Sequence, residues 1–170
     1  MKVIILSGKA GSGKSMTANI IKNKINKKTI IISYASYLKE YAKNIIGWDL
    51  NEDNKPRTFL QEIGDLVKTI DSKFLINRII EDIEVYKKYF DVIIVSDARF
   101  VDEIELIKSK YDSVVIRING HENNLTPIEQ QHNTEISLDN YNNYDYVIDN
   151  TKTKENLEIE INKILEDLVW

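Results

Sequence analysis

The sequence predicts an α/β fold, a three-layer and doubly wound sandwich around a five-stranded parallel sheet. Strand-like and helix-like segments alternate along all 170 residues. Three of the strand-like segments, VIIL, TIII and VIIV, contain runs of successive apolar residues. Strands with apolar side chains on both faces are typical of parallel sheets covered by helices on both sides. A chain of this length is expected to form a single domain, residues 1–170.

The individual elements follow from composition and periodicity. Runs rich in Val and Ile predict five strands, at residues 2–7, 29–33, 91–96, 113–119 and 145–149. Amphipathic stretches between them predict six helices, at residues 14–26, 36–46, 56–70, 72–89, 101–110 and 155–169. Pro56 suits the first position of its helix, where the missing N–H is not needed. The irregular segments 47–55 and 120–132 are long enough to be expected to have a function.

Composition narrows the class of protein. The net charge of −4 and the pI near 5.3 make a nucleic-acid partner an unfavoured prediction, because such proteins need a basic surface. Cysteine is absent, which excludes disulfides and thiolate metal sites. No apolar run approaches the roughly 20 residues of a membrane span, and the strand pattern beginning at Lys2 leaves no room for a signal peptide. We therefore expect no membrane partner and a cytoplasmic location, in a bacterium or a virus-infected cell.

Residues 8–15 read GKAGSGKS directly after the first predicted strand. They match the phosphate-binding loop pattern GxxxxGK[ST], in which glycines let backbone N–H groups surround the phosphates of a nucleotide. Lys14 can reach the β- and γ-phosphates, and the Ser15 hydroxyl can ligate Mg²⁺. The strand before and the helix after disfavour the alternative, a glycine-rich turn with a chance lysine. The predicted nucleotide-binding residues here are Gly8, Ala10, Gly11, Ser12, Gly13, Lys14, Ser15 and Met16.

The segment FDVIIVSDARF contains the second candidate group. Asp97 follows a buried strand, where such folds place the acidic residue that holds Mg²⁺ through water. Arg99 would project near the same strand end, where ligands of open α/β sheets bind. The alternative for Asp97 is an N-cap of the helix that follows Arg99.

The segment KPRTFLQEIGDLVKTI predicts a helix with two faces. Arg57, Gln61, Gly64 and Lys68 follow one another at spacings of four, three and four residues, and form a polar stripe. Glycine inside a helix costs about 1 kcal/mol relative to alanine, which indicates that something approaches Gly64 closely. A solvated charged face is the alternative interpretation of the stripe. The opposite, apolar face consists of Phe59, Ile63, Leu66, Val67 and Ile70.

Five stretches make the chain resemble the deoxynucleoside monophosphate kinases of the bacteriophage type, which have the P-loop nucleoside monophosphate kinase fold. They are GKAGSGKS, YASYLKEYA, KPRTFLQEIG, VSDARFVDE and HNTEISLDNYNNYDYVIDN, and they extend from Gly8 to Asn150. The resemblance implies transfer of the γ-phosphoryl group of ATP, with Mg²⁺, to a deoxynucleoside 5′-monophosphate. The last two stretches also resemble the animal-type phosphomevalonate kinases.

Other functions stay open at this stage. The enzyme alternatives are a phosphomevalonate-kinase-like activity and a kinase acting on a base within DNA. A non-catalytic nucleotide switch is disfavoured, because neither an NKxD nor an LSGGQ motif occurs. A relative that binds nucleotide without turnover is a further alternative.

The resemblance also implies roles for individual residues. Lys14, Asp97 and Arg99 would be catalytic, and Ser15 and Asp97 would hold Mg²⁺. Asn150, with the turn 150–154, would lie against the donor adenine. A helical region at about 34–90 would bind the acceptor, and a lid at about 120–135 would exclude water. The implied acceptor-binding residues are Lys39, Arg57, Gln61, Lys68 and Arg99.

The chain departs from the family pattern at several positions. Ser36 replaces an acidic residue, Lys68 replaces an arginine, and residues 132–135 read HNTE in place of HxSE. The lid contains no arginine, which makes Arg99 and Arg117 the candidates for neutralising charge in the transition state.

Four further residues have interpretations that the sequence leaves open. His132 is expected to be a loop or capping residue. Trp48, Tyr34 and Tyr37 could stack on a base or pack in the core. Base preference is not predicted, and neither is the choice between a monomer and a homodimer.

Overall fold

The computed structural model of the chain describes residues 1–120 and 125–168. Its five strands are β1 (Lys2–Ser7), β2 (Thr29–Ile32), β3 (Val92–Ala98), β4 (Ser113–Gly120) and β5 (Tyr146–Asn150). Its helices are α1 (Lys14–Lys24), α2 (Tyr34–Ile46), α3 (Arg57–Ile70), α4 (Phe74–Tyr86), α5 (Val101–Lys110), α6 (Pro127–Gln130), α7 (Asn133–Ile136) and α8 (Lys154–Asp167). A short 3₁₀ turn, Glu52–Asn54, precedes α3.

The five strands form one parallel sheet in the order β2-β3-β1-β4-β5. Strand β1 lies at the centre, with Lys2 opposite Val92 of β3 and Val3 opposite Ser113 of β4. After β3 the chain passes over β1, so that β4 and β5 lie on the opposite side of β1 from β3 and β2 in the strand order. The loop that follows β1 therefore lies where the strand order reverses, the position at which open α/β sheets bind their ligands.

Two apolar cores, one on each face of the sheet, produce the three layers. One core contains side chains of α4 and α5, including Ile79, Ile83 and Ile104. The other contains side chains of α1 and α8, including Ile21 and Leu157. The central strands are buried on both faces, as their continuous apolar runs require. The predicted α/β class, the parallel five-stranded sheet and the three layers are confirmed.

Element bounds differ from the predictions at a few places. Strand β3 extends through Ala98, so Asp97 lies within the strand rather than after it. Helices α6 and α7 were not predicted; α6 is a single turn inside the segment assigned to the lid, and α7 is a second turn that begins in it and ends one residue beyond it. Of that lid, residues 121–124 lie outside the described part of the chain, as does residue 169 of the last predicted helix. Within the described ranges, no helix has the length and apolar character needed to cross a membrane.

Candidate active site

The phosphate loop has the tight backbone that its glycines allow. Gly13 has a φ of +94°, a conformation that residues with a Cβ rarely adopt. A Cβ at this position would also lie 2.2 Å from the Asn150 side-chain nitrogen, because that side chain packs against the loop. Asn150 donates a hydrogen bond to the Ser12 carbonyl at 3.0 Å. The end of β5 thus supports the loop from behind.

The end of β4 supports the same loop through Gly120. A Cβ on Gly120 would lie 2.4 Å from Ser12 Cα and 2.8 Å from the Ser12 carbonyl oxygen. Only glycine allows this approach between two backbones, since an ordinary carbon contact is about 3.5–4 Å. The sequence interpretation missed this residue. A glycine directly at the end of a buried strand was the available signal.

Lys14 turns back onto its own loop. It is 8% exposed, and its Nζ donates to the Gly8 and Lys9 carbonyls at 2.7 Å each. Burial, reinforced by the positive charge of Arg99, lowers the pKa of Lys14 to about 7. A negative charge placed beside this amine would raise its pKa again toward the ordinary range.

Asp97 connects β3 to the start of α2. Its two carboxylate oxygens accept the N–H groups of Tyr34 and Ala35 at 2.8 and 2.9 Å. Burial raises the pKa of Asp97, and these two hydrogen bonds oppose the rise. The alternative of a helix N-cap is thus realised at α2 and not at α5. Since each carboxylate oxygen has a second lone pair, Asp97 can still support a hydrated metal ion next to Ser15, which lines the same cavity.

Glu103 caps the N-terminus of α5 instead. One of its carboxylate oxygens accepts the N–H groups of Arg99 and Phe100 at 2.7 and 3.1 Å. Burial raises the pKa of Glu103 to about 8, to which the charge of Asp97 contributes. Glu103 was not among the predicted site residues, although its position in the segment VSDARFVDE was the available signal.

Glu135 links three parts of the site. One of its oxygens accepts the Ala10 N–H of the phosphate loop at 2.8 Å, and the other accepts Nη1 of Arg99 at 2.8 Å. Its side chain is 5% exposed. Glu135 was quoted in the HNTE element but given no role. It belongs to α7, so the lid segment contacts the phosphate loop directly.

These groups line one cavity of about 530 Å³, within the usual range for ligand sites. It extends from the phosphate loop along α2 and α3 to the lid residues Leu125 and Thr134. Of the predicted site residues, the lining includes Ala10, Gly11, Gly13, Lys14, Ser15, Met16, Lys39, Arg57, Gln61, Lys68, Asp97 and Arg99. Gly8 and Ser12 of the loop, and Asn150, which packs against it, do not line the cavity. The structure therefore brings the predicted donor and acceptor residues together.

The far end of the cavity carries basic side chains with internal partners. Glu52 pairs with Lys39 at 2.6 Å and with Lys55 at 2.8 Å. Burial alone would raise its pKa, but the hydrogen bonds from the two lysines lower the pKa of Glu52 to about 2. The Lys68 ammonium lies 3.0 Å from the centroid of the Phe100 ring. These cations are available to an anionic ligand that can replace their present partners.

Gly64 allows α3 to approach α2. A Cβ on Gly64 would lie 3.3 Å from Leu38 Cδ1, tighter than an ordinary contact. Both residues line the cavity. The glycine that the sequence singled out is thus explained by close helix packing at the cavity wall.

The base of the lid is fixed by local caps. His132 caps α7 by accepting the Thr134 N–H, which confirms its expected capping role. Its other ring nitrogen lies 3.0 Å from a carboxylate oxygen of Asp65 on α3. Nδ1 is the acceptor in the cap, so Nε2 carries the proton and donates to Asp65. The lid is therefore joined to the helix that bears the polar stripe.

Of the four remaining candidates, only Tyr34 lines the cavity. Trp48 is buried and donates to the Asn51 carbonyl, and Tyr37 bonds to Asp82. Neither lines the cavity, whereas the buried Tyr34 does. The Arg117 guanidinium lies over the Tyr144 ring at 5.8 Å and also stays outside the cavity lining.

Comparison with known proteins defines the class of fold. No protein-family model matches the chain. A shikimate kinase from Aquifex aeolicus superimposes with a TM-score of 0.56 and 16% identity, over 98% of this chain and 96% of that one. A dephospho-CoA kinase from Campylobacter jejuni gives 0.54 and 16% over 98% and 97%, and a sugar kinase from a Janibacter species gives 0.54 and 14% over 98% and 95%. The chain thus has the fold of the P-loop kinases.

Proposed function

We propose that this protein is an ATP-dependent deoxynucleoside monophosphate kinase, which transfers the γ-phosphoryl group of ATP to a deoxynucleoside 5′-monophosphate and releases ADP and the diphosphate. The observation that carries the proposal is the single cavity that joins the phosphate loop to the polar stripe of α3. A kinase must bring donor and acceptor into one space so that the reacting groups meet in line. The cytoplasmic location stays a prediction.

The donor end fits a triphosphate with Mg²⁺. The backbone of Gly11 and Gly13, the start of α1 and the buried Lys14 face one end of the cavity. The hydroxyl of Ser15 and the carboxylate of Asp97 are the groups that would hold Mg²⁺. When bound, the ion would offset the negative charge of the donor phosphates.

The acceptor end fits a small anion. Four cations line it, Lys39, Lys55, Arg57 and Lys68, against the two carboxylates of Glu52 and Asp65, although the chain as a whole has a net charge of −4. This local excess of positive charge favours an acceptor that already carries a phosphate. The named structural neighbours act on differing substrates, so the fold leaves the acceptor open. The choice of a deoxynucleotide rests on the resemblance of the four stretches that follow the phosphate loop in sequence.

In this reaction the residues of the chain position and neutralise charge. Lys14 and Arg99 line the same cavity and would offset the charge that develops on the transferring group. Asp97 holds α2 against β3 and so fixes the distance between donor and acceptor walls. Closure of the lid would exclude water, which otherwise competes as the phosphoryl acceptor.

The test is a coupled assay of ADP release from MgATP. The acceptors are dTMP, dGMP, dCMP, dAMP, the corresponding ribonucleotides, phosphomevalonate and a DNA duplex, each offered separately. We expect release to depend on one or more deoxynucleotides and to be lost in Lys14→Ala. Lys22→Ala is the matched control, because Lys22 is an exposed lysine on the outer part of the same helix.

Other results would identify other functions. Turnover of phosphomevalonate alone would assign the protein to that type of kinase, and turnover of the duplex alone would assign it to DNA-base kinases. Measurable ATP binding without release on any acceptor would contradict the proposal and favour a nucleotide-binding switch or a protein without turnover. Equal loss in both lysine variants would show that the Lys14 result reflects misfolding.

A further inference from the structure

The lid segment has no arginine of its own, yet it is joined to one. Arg99 follows β3, and its Nη1 donates to Glu135 at 2.8 Å and to the Thr134 carbonyl at 3.3 Å. Both acceptors belong to α7, within the segment assigned to the lid. Arg99 is 22% exposed and Glu135 5%, so this ion pair is shielded from water and not a surface contact.

The same carboxylate also fixes the pair to the phosphate loop. The second oxygen of Glu135 accepts the Ala10 N–H at 2.8 Å. A carboxylate this buried needs both a counter-charge and hydrogen bonds, and it obtains them from two separate elements of the site. Arg99 is therefore held at a fixed position relative to the loop that would bind the triphosphate.

The Arg99 guanidinium uses only part of its hydrogen-bonding capacity within the described part of the chain. Over residues 1–120 and 125–168, Nη1 is the only guanidinium nitrogen of Arg99 with a hydrogen-bond partner. The residue lines the cavity together with Lys14 and Ser15. A guanidinium has five N–H donors in a planar fork, so one edge can pair with Glu135 while another contacts an anion.

We propose that Glu135 is the positioning residue of Arg99: it attaches this arginine to the lid and aims it at the donor phosphates, so that a lid without arginine still presents one. This inference rests on the proposed kinase function. It predicts that Glu135 acts on turnover through Arg99. An alternative role, support of the phosphate loop through Ala10 alone, predicts an effect on ATP binding instead.

The central variant is Glu135→Gln. Its side-chain oxygen can still accept the Ala10 N–H, but its amide group cannot replace the negative charge that Arg99 faces. Asp139→Asn is the matched control, because Asp139 lies three residues after α7 and also contacts the phosphate loop, through an ion pair with Lys9 at 3.0 Å. That pair does not involve Arg99.

Two measurements distinguish the contact between Arg99 and Glu135 from its effect on turnover. The first is NMR of protein labelled with ¹⁵N-arginine, which is simple to assign because the chain has only four arginines, Arg57, Arg78, Arg99 and Arg117. Pairing with Glu135 should slow rotation of the Arg99 guanidinium and give resolved Nη signals. These should be lost in Glu135→Gln and kept in Asp139→Asn.

The second measurement is turnover of the best deoxynucleotide acceptor, with the Kd of MgATP measured beside it. We expect kcat of Glu135→Gln to fall about tenfold or more while the Kd of MgATP changes less than about threefold. Glu135→Asp should recover part of the loss. In an Arg99→Ala background, Glu135→Gln should add little further loss, because the group on which it acts is gone.

The outcomes distinguish this inference from the proposed function. Unchanged Arg99 signals in Glu135→Gln, unchanged kcat, or fully additive losses with Arg99→Ala would each overturn the positioning role. A rise in the Kd of MgATP that accounts for the whole loss would also overturn it, in favour of loop support. If wild-type protein uses no acceptor, the kinase proposal fails, and the NMR comparison still decides whether Glu135 holds Arg99.

Discussion

Binding of MgATP should draw a proton onto Lys14, and the amount follows from the buried position of its amine. In the ligand-free protein, burial lowers the pKa of Lys14 to about 7 from the ordinary value of 10.5, with the charge of Arg99 adding to the effect. A bound triphosphate favours the charged ammonium and would return the pKa toward its ordinary range. The two states therefore hold different numbers of protons at neutral and mildly alkaline pH.

The size of the uptake depends on pH in a defined way. A group of pKa 7 carries about 0.1 proton at pH 8, whereas the same group with an ordinary lysine pKa carries about one. The uptake should be about 0.9 proton per MgATP at pH 8, about 0.5 at pH 7 and about 0.1 at pH 6.

Isothermal titration calorimetry measures this uptake directly. Titrations of MgATP in Tris and in Hepes at the same pH differ in enthalpy by the number of protons taken up multiplied by the difference in buffer ionisation enthalpy. Lys14→Met should bind with no uptake at pH 8. A zero uptake by the wild type at pH 8, or equal uptake in both proteins, would refute the reasoning.

The same buried amine should oppose folding. Between pH 7 and 10.5 the unfolded chain binds the Lys14 proton and the folded chain does not. Burial of the charged amine therefore lowers the free energy of unfolding by its full amount below about pH 7. This destabilisation disappears as the pH rises from 7 to 10.5. Lys14→Met should therefore unfold at a higher urea concentration than the wild type at pH 6, although we expect it to be inactive. A lower midpoint would show that the two carbonyl contacts outweigh the cost of burial.

Three further substitutions test the walls of the site. Gly120→Ala places a Cβ 2.4 Å from Ser12 Cα, so we expect a loss of about 1–3 kcal/mol in urea unfolding and a MgATP Kd raised about tenfold or more. Wild-type values for both would contradict the close contact. Gly64→Ala gains helix propensity of up to about 1 kcal/mol and meets only the mobile end of Leu38 at 3.3 Å, so stability should hold or rise while the KM for the acceptor increases. Asn150→Ala removes a hydrogen bond that supports the loop, so ATP and GTP should both bind about threefold to tenfold more weakly. A loss confined to ATP would show adenine recognition instead.

The sequence was sufficient for the fold because its signals are local. Buried strands have continuous apolar runs, and the phosphate loop has its glycines, lysine and serine at fixed spacing within one segment. Strand β1 was predicted with its observed bounds. The polar stripe of α3 was also readable, because side chains at spacings of three and four share one helix face. Each of these inferences uses neighbours along the chain.

The residues that the sequence missed act through distant contacts. Glu135 meets Ala10 across 125 positions, and Gly120 meets Ser12 across the ends of two strands. No periodicity within either segment encodes such a partner. Asp97 illustrates the same limit, because a carboxylate near a strand end suits both a metal and a helix N-terminus. Its bonds to α2 depend on β2 and β3 being neighbours, which local pattern does not specify.

Three cations of the site are paired with other groups of the chain, and these pairs determine what a substrate must displace. Lys14 contacts loop carbonyls, Arg99 contacts Glu135, and Lys39 contacts Glu52. Each pair lowers the cost of holding a charge in a partly buried cavity. A phosphate that binds Lys14 or Lys39 exchanges one partner for another, so its affinity is the difference between the two interactions and not the full strength of the new one. Arg99 differs, because a second edge of its guanidinium can contact a phosphate while the first stays paired with Glu135. The Lys39–Glu52 pair is exposed and is therefore screened by salt, whereas the Arg99–Glu135 pair is more buried and is screened less. Added salt should therefore weaken acceptor binding more than it weakens the contact between Arg99 and Glu135. Under the proposed function, the Lys39–Glu52 pair would exchange when the acceptor binds, while the pair of Arg99 with Glu135 would stay in place.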